Sequence, residues 1–197
     1  MQMNFFGLME IPFKRGNILF IGGILLVTVF TGGTHQVHGG TLSDPFQAAG
    51  FTHASTDEWV NSEPLALADL RGKVILIDFW TFDCWNCYRS FPWLTAMESR
   101  LPGDQFQIIG IHTPEFEHEK VRKNIVSKAK EFGLHHPIMI DNDYSYWKAM
   151  RNRYWPAFYL LDKQGMVRAV FFGETHDGDA QAERIEEVIR KLLAEPS

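Results

Sequence analysis

The sequence has few cysteines, no excess of basic residues and no long uninterrupted apolar run. Its 197 residues contain two cysteines, Cys84 and Cys87. Two cysteines exclude a small scaffold held by several disulfides, and they exclude a four-cysteine zinc site formed by this chain alone. The net charge is −5 with both signs interspersed, so the sequence offers no basic surface of the kind that binds nucleic acid. An apolar content of 45% is enough to form a substantial core.

The longest apolar run lies near the N-terminus and is short for a membrane span. Lys14 and Arg15 precede the apolar stretch from Ile18 to Phe30, and small and polar residues follow it. This order is typical of an export signal, whereas a membrane span needs about 20 apolar residues. No Ala-x-Ala cleavage site is present, so residues 1–39 are either a cleaved signal or an uncleaved membrane anchor. Both alternatives predict export to the periplasm or to the outer face of the cytoplasmic membrane.

The rest of the chain divides into a spacer and one folded domain. Residues 40–56 are rich in Gly, Ser, Thr and Ala, and this composition predicts a linker. Residues 57–197 alternate between strand and helix patterns. Val74 to Trp80 is almost entirely apolar, as expected for a strand buried on both faces, and Ala180 to Ala194 has the periodicity of a closing amphipathic helix. The expected fold class is α/β, with a mixed sheet covered by helices.

Two further local predictions concern segments near the central strands. The stretch from Leu65 to Gly72 favours a short strand followed by a turn. Thr113 and Pro114 are typical of a helix start, and Gly133 is typical of a helix end. The sequence therefore predicts an amphipathic helix over most of the interval between them.

The two cysteines form the motif Cys84-Trp85-Asn86-Cys87, directly after the predicted strand and at the start of a predicted helix. A helix N-terminus presents free backbone N–H groups and the positive end of the helix dipole, and both stabilise a thiolate. Because the thiolate is the nucleophile in disulfide exchange, Cys84 is the expected attacking residue and Cys87 the resolving one. The alternatives are a static disulfide and half of a metal site. The flanking strand and helix favour the redox interpretation.

Positions around this motif match a known pattern. They are an acid six residues before the first cysteine, a proline five residues after the second, and a Trp-Pro pair ahead of a predicted strand: Asp78, Pro92 and Trp155-Pro156. Three longer segments add to the match: His112 to Phe116, Asp141 to Tyr144 and Asn152 to Ala157. With these features the chain, from about Trp59 onwards, resembles the thioredoxin family. The resemblance is closer to its exported branch of TlpA, ResA and DipZ.

The resemblance implies a thioredoxin-like central sheet with the extra helix–strand insertion of the TlpA-like branch. It also implies that Asp78 is a buried carboxylate that exchanges a proton with Cys87, and burial raises a carboxyl pKa toward the range that suits this role. Pro156 would lie against the cysteines in cis, and the backbone of Trp155 would pair with an extended substrate. Trp85, Trp155 and Pro156 are therefore the expected substrate-binding residues.

The function that follows is an exported protein-disulfide reductase that acts on protein thiols and disulfides without cofactor or metal. Its electron donor would be a membrane thiol carrier of the CcdA/DsbD type, present as a separate chain. Trp155 is bulkier than the residue that usually precedes this proline in thioredoxin, which predicts a narrow range of partners. Asp83 disfavours the adjacent Cys84 thiolate, which favours a reducing potential.

Two other activities occur on related folds. A peroxiredoxin-like peroxidase is suggested by Thr81-x-x-Cys84, but Ile77 stands where that family needs proline. A copper-binding and delivery protein would use two cysteines and a distant histidine. The histidines available for that role are His112, His118, His135 and His136. The cysteine spacing is shorter than in such copper proteins, so the redox function is the preferred prediction.

Overall fold

The fold is known from a computed structural model, which describes residues 39–196. Within this range seven strands form one sheet: β1 Gly40–Gln47, β2 Trp59–Val60, β3 Val74–Trp80, β4 Phe106–His112, β5 Ile138–Ile140, β6 Ala157–Leu161 and β7 Met166–Phe172. The α-helices of the same range are α1 Trp85–Arg100, α2 Arg122–Glu131, α3 Ser145–Ala149 and α4 Ala180–Ala194. Among residues 39–196, none of the helices has both the length and the apolar character needed to span a membrane. The predicted export segment lies outside the described residues except for Gly39.

The sheet has the strand order β1-β7-β6-β3-β4-β5-β2. Its central strand, β3, runs parallel to β4 and antiparallel to β6. β4 and β5 are also parallel and are joined by a crossover through α2, whereas β6 and β7 form an antiparallel hairpin. This mixed, helix-covered sheet confirms the expected fold class. Helix α2 and strand β5 lengthen the connection between β4 and β6, and they correspond to the expected helix–strand insertion.

All seven residues of β3 are buried, because both faces of the sheet are covered at its centre. Leu76 and Trp80 pack into a cluster with side chains of α1 and α4. Ile75 and Phe79 point to the opposite face and pack with residues of α3 and β5. Full burial of one such Leu or Ile side chain contributes roughly 1.5–3 kcal/mol. The apolar residues of β3 therefore stabilise the cores on both faces of the sheet.

The predicted linker over residues 40–56 is wrong for residues 40–47. These form β1, which pairs antiparallel with β7 at the edge of the sheet, with Gly40 opposite Val170 and Gln47 opposite Met166. An edge strand is held largely by backbone hydrogen bonds on one side, so small and polar side chains are compatible with it. The composition of the segment therefore did not indicate its structure.

Two other local predictions were also wrong. Leu67–Leu70 forms a 3-10 helix instead of a strand. The helix expected to start at Thr113 begins at Arg122, after a 3-10 turn at Glu117–Lys120. The Thr113 hydroxyl donates to the carboxylate of Asp141, 28 residues away, rather than capping a helix. The Thr113 side chain thus bonds a distant carboxylate instead of accepting the local backbone N–H groups that the sequence pattern indicated.

Candidate active site

The two cysteines lie at the N-terminus of α1, immediately after the turn that follows β3. They are joined by a disulfide. Cys84 occupies the N-cap position and is partly exposed, whereas Cys87 is fully buried. The backbone N–H of Cys87 donates to Sγ of Cys84 over 3.2 Å. This hydrogen bond and the helix dipole both favour negative charge on the Cys84 sulfur once the disulfide is reduced.

Asp78 lies on the face of β3 that is turned toward the cysteines. Its neighbours on that face, Leu76 and Trp80, pack in the same cluster as Cys87. Asp78 is 1% exposed, and burial raises the pKa of its carboxyl to about 8. Within the described chain neither carboxyl oxygen has a hydrogen-bond partner. The site thus contains a carboxyl group that changes protonation near neutral pH.

The peptide bond between Trp155 and Pro156 is cis, as the resemblance implied. The indole of Trp155 packs on that of Trp147, with ring centroids 4.3 Å apart, which fixes its orientation. No backbone–backbone hydrogen bond among residues 39–196 uses the N–H or carbonyl group of Trp155. These two groups are therefore free to pair with an added extended segment.

A cleft of about 370 Å³ brings Cys84, Trp85 and Trp155 together. Tyr154 also lines it, and the side chains of Trp85 and Tyr154 are 66% and 54% exposed. Large exposed aromatic rings beside a reactive sulfur indicate a surface that contacts other molecules. Pro156 is buried behind this cleft and does not line it.

The acid next to the first cysteine is paired. The carboxylate of Asp83 contacts the imidazole of His118, and both side chains are about half exposed. The sequence alone did not indicate this contact, which gives the Asp83 carboxylate a partner on the side chain of His118.

Glu119 is a site residue that the sequence analysis missed. It is fully buried and accepts hydrogen bonds from the hydroxyl of Thr81 and the backbone N–H of Asp83, the latter at 3.0 Å. It also accepts the N–H groups of Glu115 and Phe116 at 2.6 and 2.7 Å. One carboxylate thus joins the turn that carries Cys84 to the loop after β4. The spacing from Phe116 to Glu119 resembles a helix cap, but the contacts to the cysteine turn span 36 and 38 residues and follow no local pattern.

The four histidines considered for copper do not line the cleft that contains Cys84 in the described structure. His112 is buried against Phe82, and burial lowers its pKa to about 3, so its ring is neutral. His135 is exposed, and His136 is buried near Glu98. His112 and His118 pack against the same ring, that of Phe82, but none of the four histidines borders the cleft with Cys84.

A different group of potential metal ligands lies near α3. Ligand atoms of His53, Asp141 and Asp143 fall within 4.8 Å of one another. The oxygens of Asp141 already accept the backbone N–H groups of Tyr146 and Trp147. The arrangement is explained by capping of α3 and by hydrogen bonding between the acids and His53.

Together these features define a dithiol–disulfide site on a thioredoxin-like fold: a cysteine pair at a helix start, a buried carboxyl group and a cis-proline. Residues 47–170 match the AhpC/TSA family, and the chain belongs to that family.

Named relatives agree with this assignment. Protein DipZ of Mycobacterium bovis is 43% identical over 138 residues, which are 68% of this chain and 19% of DipZ. The thiol-disulfide oxidoreductase YkuV of Bacillus subtilis is 28% identical over 137 residues, which are 70% of this chain and 88% of YkuV. The crystal structure of a thiol-disulfide isomerase from Corynebacterium glutamicum has a TM-score of 0.62 at 25% identity, covering 79% of this chain and 97% of that one. The resemblance to the TlpA, ResA and DipZ branch is confirmed.

Replacing Glu119 tests whether it holds the cysteine turn. Glu119→Gln replaces one acceptor oxygen by an NH2 donor, which leaves a buried N–H or hydroxyl group without its acceptor. We expect the free energy of unfolding to fall by about 1–3 kcal/mol, measured by urea denaturation of the oxidised protein. Glu117→Gln is the matched control, because that neighbouring side chain is exposed and pairs with Lys120 on the surface. Equal stability of the two variants would contradict the role of Glu119.

Proposed function

We propose that the protein is a thiol–disulfide oxidoreductase that reduces disulfides of exported protein substrates. The observation that carries the proposal is the position of the cysteine pair: Cys84 is partly exposed at the helix start and Cys87 is buried one turn further on. This arrangement separates an attacking sulfur from a resolving sulfur.

The reaction starts from the reduced protein. The Cys84 thiolate attacks one sulfur of the substrate disulfide, forms a mixed disulfide and releases the other substrate sulfur as a thiolate. Cys87 then gives its proton to the Asp78 carboxylate and attacks Sγ of Cys84. The mixed disulfide breaks, the second substrate thiolate leaves, and the protein is left with the Cys84–Cys87 disulfide. Two electrons have passed to the substrate.

Asp78 suits the proton transfer because its carboxyl pKa, raised by burial, is about 8. Near neutral pH such a group is present in both protonation states, so it accepts the Cys87 proton in one direction and returns it in the other. A carboxyl group with an ordinary pKa would be too weak a base for a thiol.

Substrate binding is assigned to the cleft and to the cis-proline segment. The free N–H and carbonyl groups of Trp155 would pair with an extended substrate segment beside its disulfide. The exposed ring of Trp85 would flank that segment, and the buried Pro156 would act through the cis bond that presents Trp155. Because Trp155 is held against Trp147, its bulk restricts which partners fit.

The proposed direction is reduction, in the periplasm or at the outer face of the cytoplasmic membrane. Trp85 and Asn86, between the cysteines, offer no cation that would stabilise the Cys84 thiolate, and a less stable reduced form means a more negative potential. Reduction in an oxidising compartment requires a supply of electrons. We assign this supply to a membrane thiol carrier of the CcdA/DsbD type, acting as a separate chain.

The roles of the two cysteines are tested by trapping. Cys87→Ser leaves the attacking thiol but removes the resolving one, so mixed disulfides with substrates should accumulate and be visible on non-reducing gels. Cys84→Ser is the matched variant, and it should trap none because the remaining thiol is buried. Equal trapping by both variants would overturn the assignment.

The direction is tested by the equilibrium potential of the Cys84–Cys87 couple, measured against glutathione or dithiothreitol. We expect a value closer to that of thioredoxin, about −270 mV, than to that of the oxidant DsbA, about −120 mV. A value near the DsbA potential would refute the reductant proposal. Insulin reduction should be slow because Trp155 restricts access, and a thioredoxin-like rate would refute the narrow range of partners.

Export is tested by fusing residues 1–60 to a reporter that is active only outside the cytoplasm. The apolar stretch from Ile18 to Phe30, with Lys14 and Arg15 before it, should deliver an active reporter. A second fusion, in which charged residues interrupt the apolar stretch, is the control and should remain inactive. An inactive reporter with the unaltered sequence is the result that argues against export.

A further inference from the structure

Aromatic side chains continue from the cleft along α1. Trp85 lines the cleft beside Cys84, and its ring stacks on that of Tyr88, with ring centroids 5.4 Å apart. The two residues are three positions apart in the helix, so they lie on the same face of α1. Tyr88 in turn packs on Phe132, the residue that follows α2, with ring centroids 5.3 Å apart. This aromatic row of three rings connects the cleft to the inserted helix.

The aromatic row is most exposed near the cleft. The side chains of Trp85 and Tyr88 are 66% and 47% exposed. Phe132 is half-buried, and its ring rests on the buried ring of Phe91, with centroids 5.2 Å apart. A contiguous group of exposed apolar side chains marks a surface that binds another molecule. The aromatic row is therefore a candidate for contact with a partner.

A groove of about 380 Å³ opens at the far end of the aromatic row, and we call it the α1–α2 groove. Its apolar lining consists of Tyr88, Phe91, Pro92 and Phe132. Because Tyr88 stacks on Trp85, and Trp85 also lines the cleft, the groove and the cleft share one continuous surface. The groove has the size and the lining to enclose a large apolar side chain.

The charged side chains at the border of the α1–α2 groove are paired. Arg89 forms an ion pair with Glu174 at 2.9 Å, and Glu131 forms one with Lys128 at 3.0 Å. His176 contacts the same carboxylate of Glu174. Both signs of charge are present and each has a partner within the described residues. The groove therefore favours a neutral occupant over a charged one.

The position of the groove indicates which molecule would occupy it. A protein disulfide that reacts with Cys84 must place one of its sulfurs in the cleft, so the chain next to that cysteine runs past Trp85. An extended chain advances about 3.3 Å per residue, and the two ring-to-ring steps from Trp85 to Phe132 span about 11 Å at most, which corresponds to about three residues. The occupant is therefore a nearby side chain of the same substrate.

We propose that the α1–α2 groove is a second substrate subsite, which binds a large apolar side chain about three residues from the reactive cysteine. The inference rests on the proposed function. An aromatic or aliphatic side chain in the groove would pack on Tyr88 and Phe132 and be withdrawn from water. Simultaneous occupation of the cleft and the groove requires an extended segment. The substrate class is therefore a cysteine within a flexible or unfolded apolar segment of a protein.

The test uses the full chain, in its reduced form, and symmetric peptide disulfides in which two copies of one short peptide are joined through a central cysteine. Attack on either sulfur gives the same products: two peptide thiols and the Cys84–Cys87 disulfide. Phenylalanine is placed at single positions before or after the cysteine, with serine elsewhere, and the single-turnover rate constant is compared with that of the all-serine peptide. Phenylalanine about three residues from the cysteine should raise the rate constant roughly fivefold, and phenylalanine at the ends of the peptide should have little effect.

Variants of Tyr88 assign the preference to the groove. Tyr88→Ala removes the ring that connects the cleft to the groove, so the ratio of the phenylalanine and serine rate constants should fall toward one. Tyr88→Phe keeps the ring and should keep the ratio. Phe46→Ala is the matched control, because this exposed ring on edge strand β1 borders neither the cleft nor the groove. The ratio separates binding in the groove from the reactivity of Cys84.

Each other outcome overturns a different statement. Equal rate constants for all peptides would refute the subsite and leave the proposed function standing, since the serine peptide is still reduced. A preference for phenylalanine that persists in Tyr88→Ala would refute the assignment to the groove. If light scattering shows a dimer that Tyr88→Ala dissociates, the groove is a contact between two copies of the chain and the subsite proposal fails. Failure to reduce any peptide would refute the proposed function itself.

Discussion

The structure depends on the burial of β3 on both faces. β3 is hydrogen-bonded to β4 on one side and β6 on the other, and helices cover it above and below. A strand enclosed in this way has a fixed register, and the position of its last residue, Trp80, is fixed as well. The short turn after Trp80 therefore fixes the position of Cys84 at the start of α1. The same enclosure forces any polar residue in β3 into the interior. Asp78 is that polar residue, and its burial disfavours the charged carboxylate and so raises the pKa of the carboxyl group.

Three buried carboxyl groups near the site differ in their hydrogen bonding. Glu119 and Asp141 are both fully buried, and each accepts hydrogen bonds from backbone N–H groups and a threonine hydroxyl. Such donors satisfy the carboxyl oxygens and fix the chain around them. Asp78 has no such donor within the described residues, so burial acts on it unopposed. Its carboxyl group is therefore suited to exchanging a proton, whereas Glu119 and Asp141 are suited to holding loops.

The residues that line the cleft differ in how firmly they are packed. Trp155 is fixed by its stacking on Trp147, and its free backbone groups offer directional hydrogen bonds to an extended chain. Trp85 and Tyr154 are largely exposed. In the proposed function, backbone pairing would give affinity without selecting a sequence, so selectivity would depend on the bulk of Trp155 and on the exposed aromatic rings.

The sequence by itself determined the elements whose signals are local. The apolar run of β3, the amphipathic period of α4 and the placement of Cys84 and Cys87 at a helix start were predicted from neighbouring residues, and the structure has the predicted bounds for β3 and α4. The roles of Asp78 and Pro156 came from the family resemblance, since neither composition nor periodicity distinguishes a reactive acid or a cis-proline.

The tertiary structure decided what depends on contacts between distant residues. β1 forms because it pairs with the edge of β7, and its mixture of small, polar and apolar side chains gave no strand pattern. Glu119 reaches the cysteine turn across more than thirty residues, and its neighbours in sequence indicated only a local cap. Gly110 is needed because Trp80, His136 and Ile138 close around it, so that a Cβ atom there would lie 3.1 or 3.2 Å from each of them. A local pattern reports the preferences of adjacent residues, whereas burial and long-range hydrogen bonds arise only when separate segments of the chain enclose the same space.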